Sequence, residues 1–481
     1  MSPSTTDHPR AGRPPGDDGV MAVLGTWLTA RRWFPAKGTS GAVERVAVVD
    51  LHDPQDEARV GLHLLRLPSG ALLQVPLVLR APQTGLPAGL DPAAVVGTTP
   101  DGAVVVDGCH DPAFVRAWLA AAERPAGPAG SAGSAESAGS TRPAQAGPAR
   151  PDLTGMRVLS GEQSNTSVIL PALDPPAILK VFRGVSTGAN PDVEVPLALS
   201  DAGWTGVPRP LAWLTGSWPA GDAATEDGSG SSTGHLGVLS ELVLGAEDGF
   251  ELACRHASEG ASFGALAEDL GRTTAQMHAA LRAALPSGTA ASASADAVVT
   301  VLRTRAAAAV VAAPVLAGRA AAVEALFTEV ARLSDLPPLQ RVHGDYHLGQ
   351  VLHSAGRGWS VLDFEGEPSA SEAERNRPDL ALRDLAGMLR SLDYAAAVGA
   401  ASRPDWAEEA RTRLVAGYLG ETAGPTATDP DAAARTATTS ALLRALELDK
   451  ALYEVVYESR NRPSWVSIPL DGVDRLLEGV R

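Results

Sequence analysis

Two short runs of the chain carry the side chains best suited to chemistry. The first is Arg341-Val342-His343-Gly344-Asp345-Tyr346-His347-Leu348-Gly349-Gln350; the second is Trp359-Ser360-Val361-Leu362-Asp363-Phe364-Glu365-Gly366-Glu367-Pro368. Asp345 stands five residues before the side-chain amide of Gln350, and Asp363 ends a short β-rich run. A carboxylate can accept the proton of an attacking hydroxyl, while an amide oxygen and a second carboxylate can share a hard cation that prefers oxygen ligands. The order is that of the phosphoryl-transfer pattern H-R-D-x-x-x-x-N followed by D-F-G, in which the amide and second Asp hold Mg2+ on the nucleotide phosphates. This predicts Asp345 as catalytic base, Gln350 and Asp363 as Mg2+ ligands, and His343 as a brace for the loop.

Upstream, Ser160-Gly161-Glu162-Gln163-Ser164-Asn165-Thr166-Ser167 sets small polar residues between two strands. Such a turn can fold over phosphates, with Ser164, Asn165 and Thr166 as donors, although a plain hairpin turn has the same composition. Lys180 follows two short strands later, where a lysine can pair with the α- and β-phosphates; an edge lysine with its stem on apolar surface is the alternative. Glu194, in the first turns of a helix opened by Asn190-Pro191-Asp192, is the expected ion-pair partner of Lys180, with Pro196 disturbing that helix. A surface Glu stabilised by the helix dipole is the competing reading. Glu241 and Val243, at the end of the run 235–243, complete the expected ATP contacts.

Toward the C-terminus, Ala441, Ala445, Leu448, Leu452 and Val455 mark one apolar helix face, with Glu447, Glu454 and Glu458 on a neighbouring face and Asp449 and Lys450 close by. Spacing alone reads as a solvated ladder, Glu447-Lys450-Glu454. The following Arg462-Pro463-Ser464-Trp465 turns the reading toward a sugar site, since an aromatic face suits a ring's CH surface and carboxylates suit its hydroxyls or amine. Asp345, Asp449, Glu454, Glu458 and Trp465 are therefore the expected acceptor contacts.

At 481 residues the chain is too long for one core, and several units are expected. Residues 1–19 read as a disordered tail and 20–124 as a small α+β unit with a helix over 21–30, strands over 43–49, 60–67 and 72–79, and a closing helix over 112–122. The first two strands alternate as half-buried strands do. Residues 125–150, almost wholly Pro, Ala, Gly and Ser, cannot bury enough apolar area to offset ordering entropy and read as a flexible linker. Residues 151–245 form a β-rich nucleotide lobe whose last hairpin has a low-complexity tip at 221–234. Residues 246–481 are mainly helical, with the catalytic run inside them.

Composition narrows the function class. A hydrophobic content of 44% is globular, and a formal charge of −16 argues against a nucleic-acid partner, which needs a concentrated cationic surface. Cys109 and Cys254 lack metal-ligand spacing, so no disulfide framework or zinc site is expected. The first 19 residues lack an apolar signal core, and the longest apolar run, 306–318, is broken by Pro314 and too short to span a bilayer. A cytoplasmic monomer or weak dimer is expected.

The run 343–350 with 363–368, then Arg383-Asp384-Leu385-Ala386-Gly387-Met388-Leu389-Arg390-Ser391 and Arg460-Asn461-Arg462-Pro463-Ser464-Trp465, resembles the actinobacterial maltokinase group and its relatives, the actinobacterial glucosamine kinases. Arg32-Trp33-Phe34 and Lys37-Gly38 resemble the opening of that group's N-terminal cap. The resemblance implies an α+β class protein: a two-lobed kinase-like (aminoglycoside phosphotransferase-like) fold with an N-terminal cap, using ATP and Mg2+ on a sugar. Tyr346 stands where maltokinases usually carry Leu, and Pro35 also departs from their cap. Glu454 and Trp465 match the sugar contacts of the glucosamine kinases. D-glucosamine, giving glucosamine 6-phosphate, is the expected acceptor; a maltokinase forming maltose 1-phosphate and an aminoglycoside-type phosphotransferase are the alternatives.

Overall fold

The computed structural model describes residues 18–35, 43–125, 150–159, 165–220, 230–285, 294–334, 336–366, 375, 377–423 and 432–479. Lys37, Gly38, Ser164, Glu367, Pro368 and nearly all of the expected tail and linker lie outside the described residues. The backbone divides into two compact units: Met1–Glu194 with Arg209–Leu242, and Val195–Pro208 with Val243–Arg481.

The first unit is built on two antiparallel sheets. One has strands β1 (Glu44–Leu51), β2 (Arg59–Arg66), β3 (Leu72–Arg80), β4 (Val95–Thr98) and β5 (Val104–Asp107) in the order β1-β2-β3-β5-β4. Contrary to the half-buried strand expected there, β2 is covered on both faces. Helix α1 (Asp18–Thr29) brings Leu24 and Leu28 to one side, against Leu65, while Leu62 and Leu64 on the other side join a second cluster. Helix α2 (Pro112–Ala121) starts where the Asp111 carboxylate caps it and Pro112 presets its first turn. That carboxylate also takes a bidentate pair from Arg80 at 2.6 and 2.7 Å.

The other sheet contains β6 (Arg157–Val158), β7 (Asn165–Leu170), β8 (Ala177–Phe182), β10 (Pro210–Pro219) and β11 (Ser231–Glu241) in the order β10-β11-β8-β7-β6, while β9 (Gly184–Val185) pairs with β3. Val49, Phe114 and Trp118 share one apolar core with Leu179 and Leu236. Segments expected as separate cap and nucleotide lobe thus bury their faces against a common core, each large side chain contributing roughly 2–3 kcal/mol.

After helix α3 (Pro191–Asp201), the second unit is mainly helical: α4 (Gly249–Glu259), α5 (Gly264–Ala284), α6 (Ala295–Ala312), α7 (Ala320–Val330), α8 (Leu382–Val398), α9 (Trp406–Ala423), α10 (Ala432–Asn461) and α11 (Ser467–Leu477). A small sheet, β12 (Glu247–Asp248), β13 (Val351–Ser354) and β14 (Gly358–Val361), is set among them. Leu382, Leu385, Leu389 and Leu392 are buried along α8, as their helical spacing requires. Helices α5 and α9 approach backbone to backbone, because a Cβ on Gly271 would lie 2.0 Å from the Leu414 carbonyl and one on Gly417 1.9 Å from that of Glu268. Among the described residues no helix is long and apolar enough to cross a membrane.

Candidate active site

The β13–β14 hairpin aligns Val351 with Val361, and just beyond it the Leu362 N–H donates to the Gln350 carbonyl at 2.9 Å. Gln350 and the residue after Leu362, Asp363, therefore leave the hairpin at the same open end. Asp363 has φ 56°, in the left-handed region that Asp tolerates better than β-branched residues. An amide oxygen with one carboxylate fits Mg2+, which usually takes one or two carboxylates and completes its shell with substrate phosphates and water.

The loop before the hairpin is held from below by α8. Asp384 accepts from the His343 N–H at 2.8 Å and the Gly344 N–H at 2.9 Å, so one carboxylate straddles two successive amides. One turn on, a Cβ at Gly387 would meet the Tyr346 carbonyl at 2.6 Å, so glycine permits the loop to lie against the helix. A further turn on, Ser391 Oγ accepts from the Leu348 N–H at 3.0 Å. Steps of three and four residues place these three positions on one helix face.

His343 fixes the loop from the other side. Its Nε2 donates to the Leu362 carbonyl at 2.7 Å, which leaves Nδ1 to accept from the Asp345 N–H at 3.4 Å. Its ring lies between those of Tyr346 and Phe364, at centroid distances of 5.1 and 4.9 Å. The imidazole is thus occupied in holding Asp345 and the Asp363 segment together. Tyr346 is buried and bonds Thr274 Oγ1 at 3.1 Å, and burial pushes its hydroxyl well above the usual phenol range, so it stays neutral.

Asp384 is itself completed by His278 from α5, whose Nε2 lies 3.1 Å from its Oδ2, while Tyr418 of α9 bonds the other ring nitrogen at 3.0 Å. Burial pushes the Asp384 carboxyl up, but the His278 bond and the loop amides more than offset this and hold it below the usual carboxylate range. Sequence spacing singles out neither His278 nor Tyr418, and Asp384 only as part of a motif. The usable signal was a lone polar residue on an apolar helix face: Asp384 between Leu382 and Leu385, His278 between Met277 and Leu281.

Asp345 opens on a cavity of about 530 Å³ that Asp449, Lys450 and Tyr453 of α10 also line, with Arg305 of α6 and Arg383 of α8. Asp449 is buried and accepts from Arg383 at 3.0 Å and Arg305 at 3.2 Å. Glu454, Glu458 and Trp465 are not in that lining; the two carboxylates lie farther along α10 and Trp465 just past its end. Glu454 accepts from Arg390 Nε at 2.8 Å, and Glu458 accepts from Tyr394 at 3.0 Å and bidentately from Arg462 at 2.6 and 2.9 Å. The Arg462 guanidinium stands 4.4 Å from the Trp465 ring. The solvated ladder expected from spacing is absent: Glu447 is 2% and Glu458 1% exposed, and Glu447 pairs with Arg411 and Arg475 at 2.9 and 3.1 Å. Arginines 28 and 36 residues away in sequence (475 − 447 and 447 − 411) supply that compensation, which local spacing cannot reveal.

In the first unit Lys180 lies mid-strand between Ser167 of β7 and Val238 of β11, and its Nζ is 2.5 Å from Asp192 Oδ2. The partner is Asp192 and not Glu194, which is exposed. Two helical residues turn the side chain by about 200°, so Asp192 and Glu194 cannot face the same way. Asp192→Asn should therefore raise the KM for ATP about tenfold, whereas Glu194→Gln should change it less than twofold; steady-state kinetics on both variants decides. Asn165 and Thr166 are buried and turned to Arg183: the Asn165 side chain accepts the Arg183 N–H at 3.3 Å, and Thr166 Oγ1 accepts from its Nε at 2.9 Å. Both oxygens act here as acceptors that fix Arg183, which also pairs with Asp107 at 3.1 Å. Glu241 accepts from Arg209 at 2.9 Å, and Val243 is half-buried just past β11.

Comparison with known proteins bears on the family and the fold. A model of the maltokinase N-terminal cap domain matches residues 27–111, and one of the phosphotransferase enzyme family matches residues 156–425, more than half of the chain. A glucosamine kinase of Mycolicibacterium smegmatis is 30% identical over 342 residues, covering 67% of this chain and 80% of that protein. A glucosamine kinase of Streptacidiphilus jiangxiensis is 29% identical over 343 residues, covering 66% of this chain and 72% of that one. A solved glucosamine kinase in complex with glucosamine, ADP and inorganic phosphate has a TM-score of 0.59 at 24% identity, covering 94% of this chain and 98% of that one. The likeness shows the fold, kinase-like with an N-terminal cap, and the matched sequence shows that the chain belongs to the phosphotransferase enzyme family.

Proposed function

We propose that this phosphotransferase is a glucosamine kinase that moves the γ-phosphoryl group of ATP to the 6-hydroxyl of D-glucosamine, working in the cytoplasm as a monomer or weak dimer. The observation that carries the reaction type is the joint fixing of Asp345, Gln350 and Asp363 by one histidine and one hairpin. Asp345 orients the acceptor hydroxyl and receives its proton. Gln350 and Asp363 would hold Mg2+, which would supply charge neutralisation for the transferred phosphoryl group. Lys180, held by Asp192, pairs with the nucleotide phosphates.

The acceptor rests on the two glucosamine kinases that this chain is similar to and on carboxylates along α10 that could receive an ammonium in charge-assisted hydrogen bonds. Glu454, one residue beyond Tyr453 of the cavity wall and paired with Arg390, and Trp465, under the Arg462 guanidinium, are the proposed sugar contacts. The match of the maltokinase cap supports a second reading, maltose as acceptor. ATP consumption with glucosamine, maltose, glucose and an aminoglycoside separates them. Turnover with glucosamine, reduced at least tenfold by Glu454→Gln, is expected; turnover with maltose alone rejects the proposal.

A further inference from the structure

A second concavity lies beside the cavity that holds Asp345. A groove of about 360 Å³ between α6 and α10 shares Arg305, Asp449 and Tyr453 with it as a common wall. Beyond that wall Ala308 and Ala312 of α6 face Leu452 and Val456 of α10, and Arg460 also lines the groove. From Asp449 to Arg460 the α10 backbone rises about 16 Å, more than one hexose ring can fill. Tyr453 is 37% exposed on the wall the two share, with Lys450 Nζ 5.4 Å from its ring centre, so an aromatic surface and a cation stand at the boundary between cavity and groove. The groove itself is floored by apolar groups. It therefore suits a ring with an apolar face, tethered to a polar group bound at Asp345.

We propose that this groove is an acceptor subsite, and that the enzyme phosphorylates glycosides of glucosamine whose anomeric oxygen carries a second ring. The inference rests on the glucosamine kinase reading. The anomeric substituent leaves the sugar away from the 6-hydroxyl, so a hydroxyl at Asp345 and a ring over Ala308 are compatible. The chemistry is unchanged: the bond between the γ-phosphorus and the β,γ-bridging oxygen breaks, a bond forms from that phosphorus to the sugar 6-oxygen, the hydroxyl proton passes to Asp345, and ADP leaves.

The test compares KM for glucosamine, phenyl β-D-glucosaminide and the β-1,4-linked glucosamine dimer in the full chain and two variants. Ala308→Leu narrows the groove, while Ala307→Leu changes its exposed neighbour, which does not line it; both keep good helix formers. The phenyl glycoside or the dimer should show a KM about tenfold below that of glucosamine, and whichever is preferred tells an aryl from a sugar extension. In Ala308→Leu that advantage should shrink about tenfold, and in Ala307→Leu it should persist. Turnover of glucosamine without turnover of either extended acceptor, or an advantage untouched by Ala308→Leu, overturns the subsite. No turnover of any of the three rejects the glucosamine reading itself.

Discussion

Asp345→Asn loses turnover by about 10³-fold or more while its affinity for ATP changes less than twofold. The substitution keeps shape and removes only the proton acceptor, and a positioned general base contributes roughly 10²–10⁴-fold. The surroundings should stay in place, because the loop is fixed by the Asp345 N–H on His343 and by Asp384 on the two preceding amides, none of which involves the Asp345 side chain. Single-turnover rates with a binding isotherm for ATP separate the two effects. A parallel loss of nucleotide affinity would mean that the residue supports the fold and not the chemistry.

Asp384→Asn is the second large effect, and it acts without touching substrate. The ionised carboxylate accepts from two loop amides and from His278 while almost fully buried. An asparagine must turn an N–H toward one of these three donors, leaving it unsatisfied at a cost of about 2–3 kcal/mol. The loop should shift, and a displacement of order 1 Å at the reacting group can cost about 10²-fold in rate. The expected outcome is a lower Tm together with a kcat reduced about 10²-fold. The pH dependence follows from the carboxyl's lowered pKa in the folded chain. A group depressed on folding stabilises above its unfolded value, about 3.9, and that stability is lost as pH falls through the folded value. The native protein should therefore lose Tm below about pH 4, and Asp384→Asn should lose less over the same range. Equal acid sensitivity would contradict the anchoring role.

The catalytic grammar was legible because it is local: Asp345, Gln350 and Asp363 fall within nineteen positions (345 to 363) and meet through one hairpin. Helix α8 was equally legible from its leucines. What could not be read was long-range compensation. Asp192 and Glu194 are both acidic and both in the first turn of α3, and only the direction of the helix decides which one meets Lys180. The acidic face of α10 looked solvated because Arg390, Arg411 and Arg475 come from other helices. The strand β2 looked half-buried because the helix that covers its second face, α1, lies thirty residues upstream.

The product's structure tests the central claim most directly. Full-length enzyme supplied with ATP, Mg2+ and glucosamine should give a phosphomonoester whose phosphorus couples to the C6 protons in a 31P–1H correlation spectrum. A phosphorus coupled to the anomeric proton, or a phosphorylated product formed from maltose and none from glucosamine, would contradict the account.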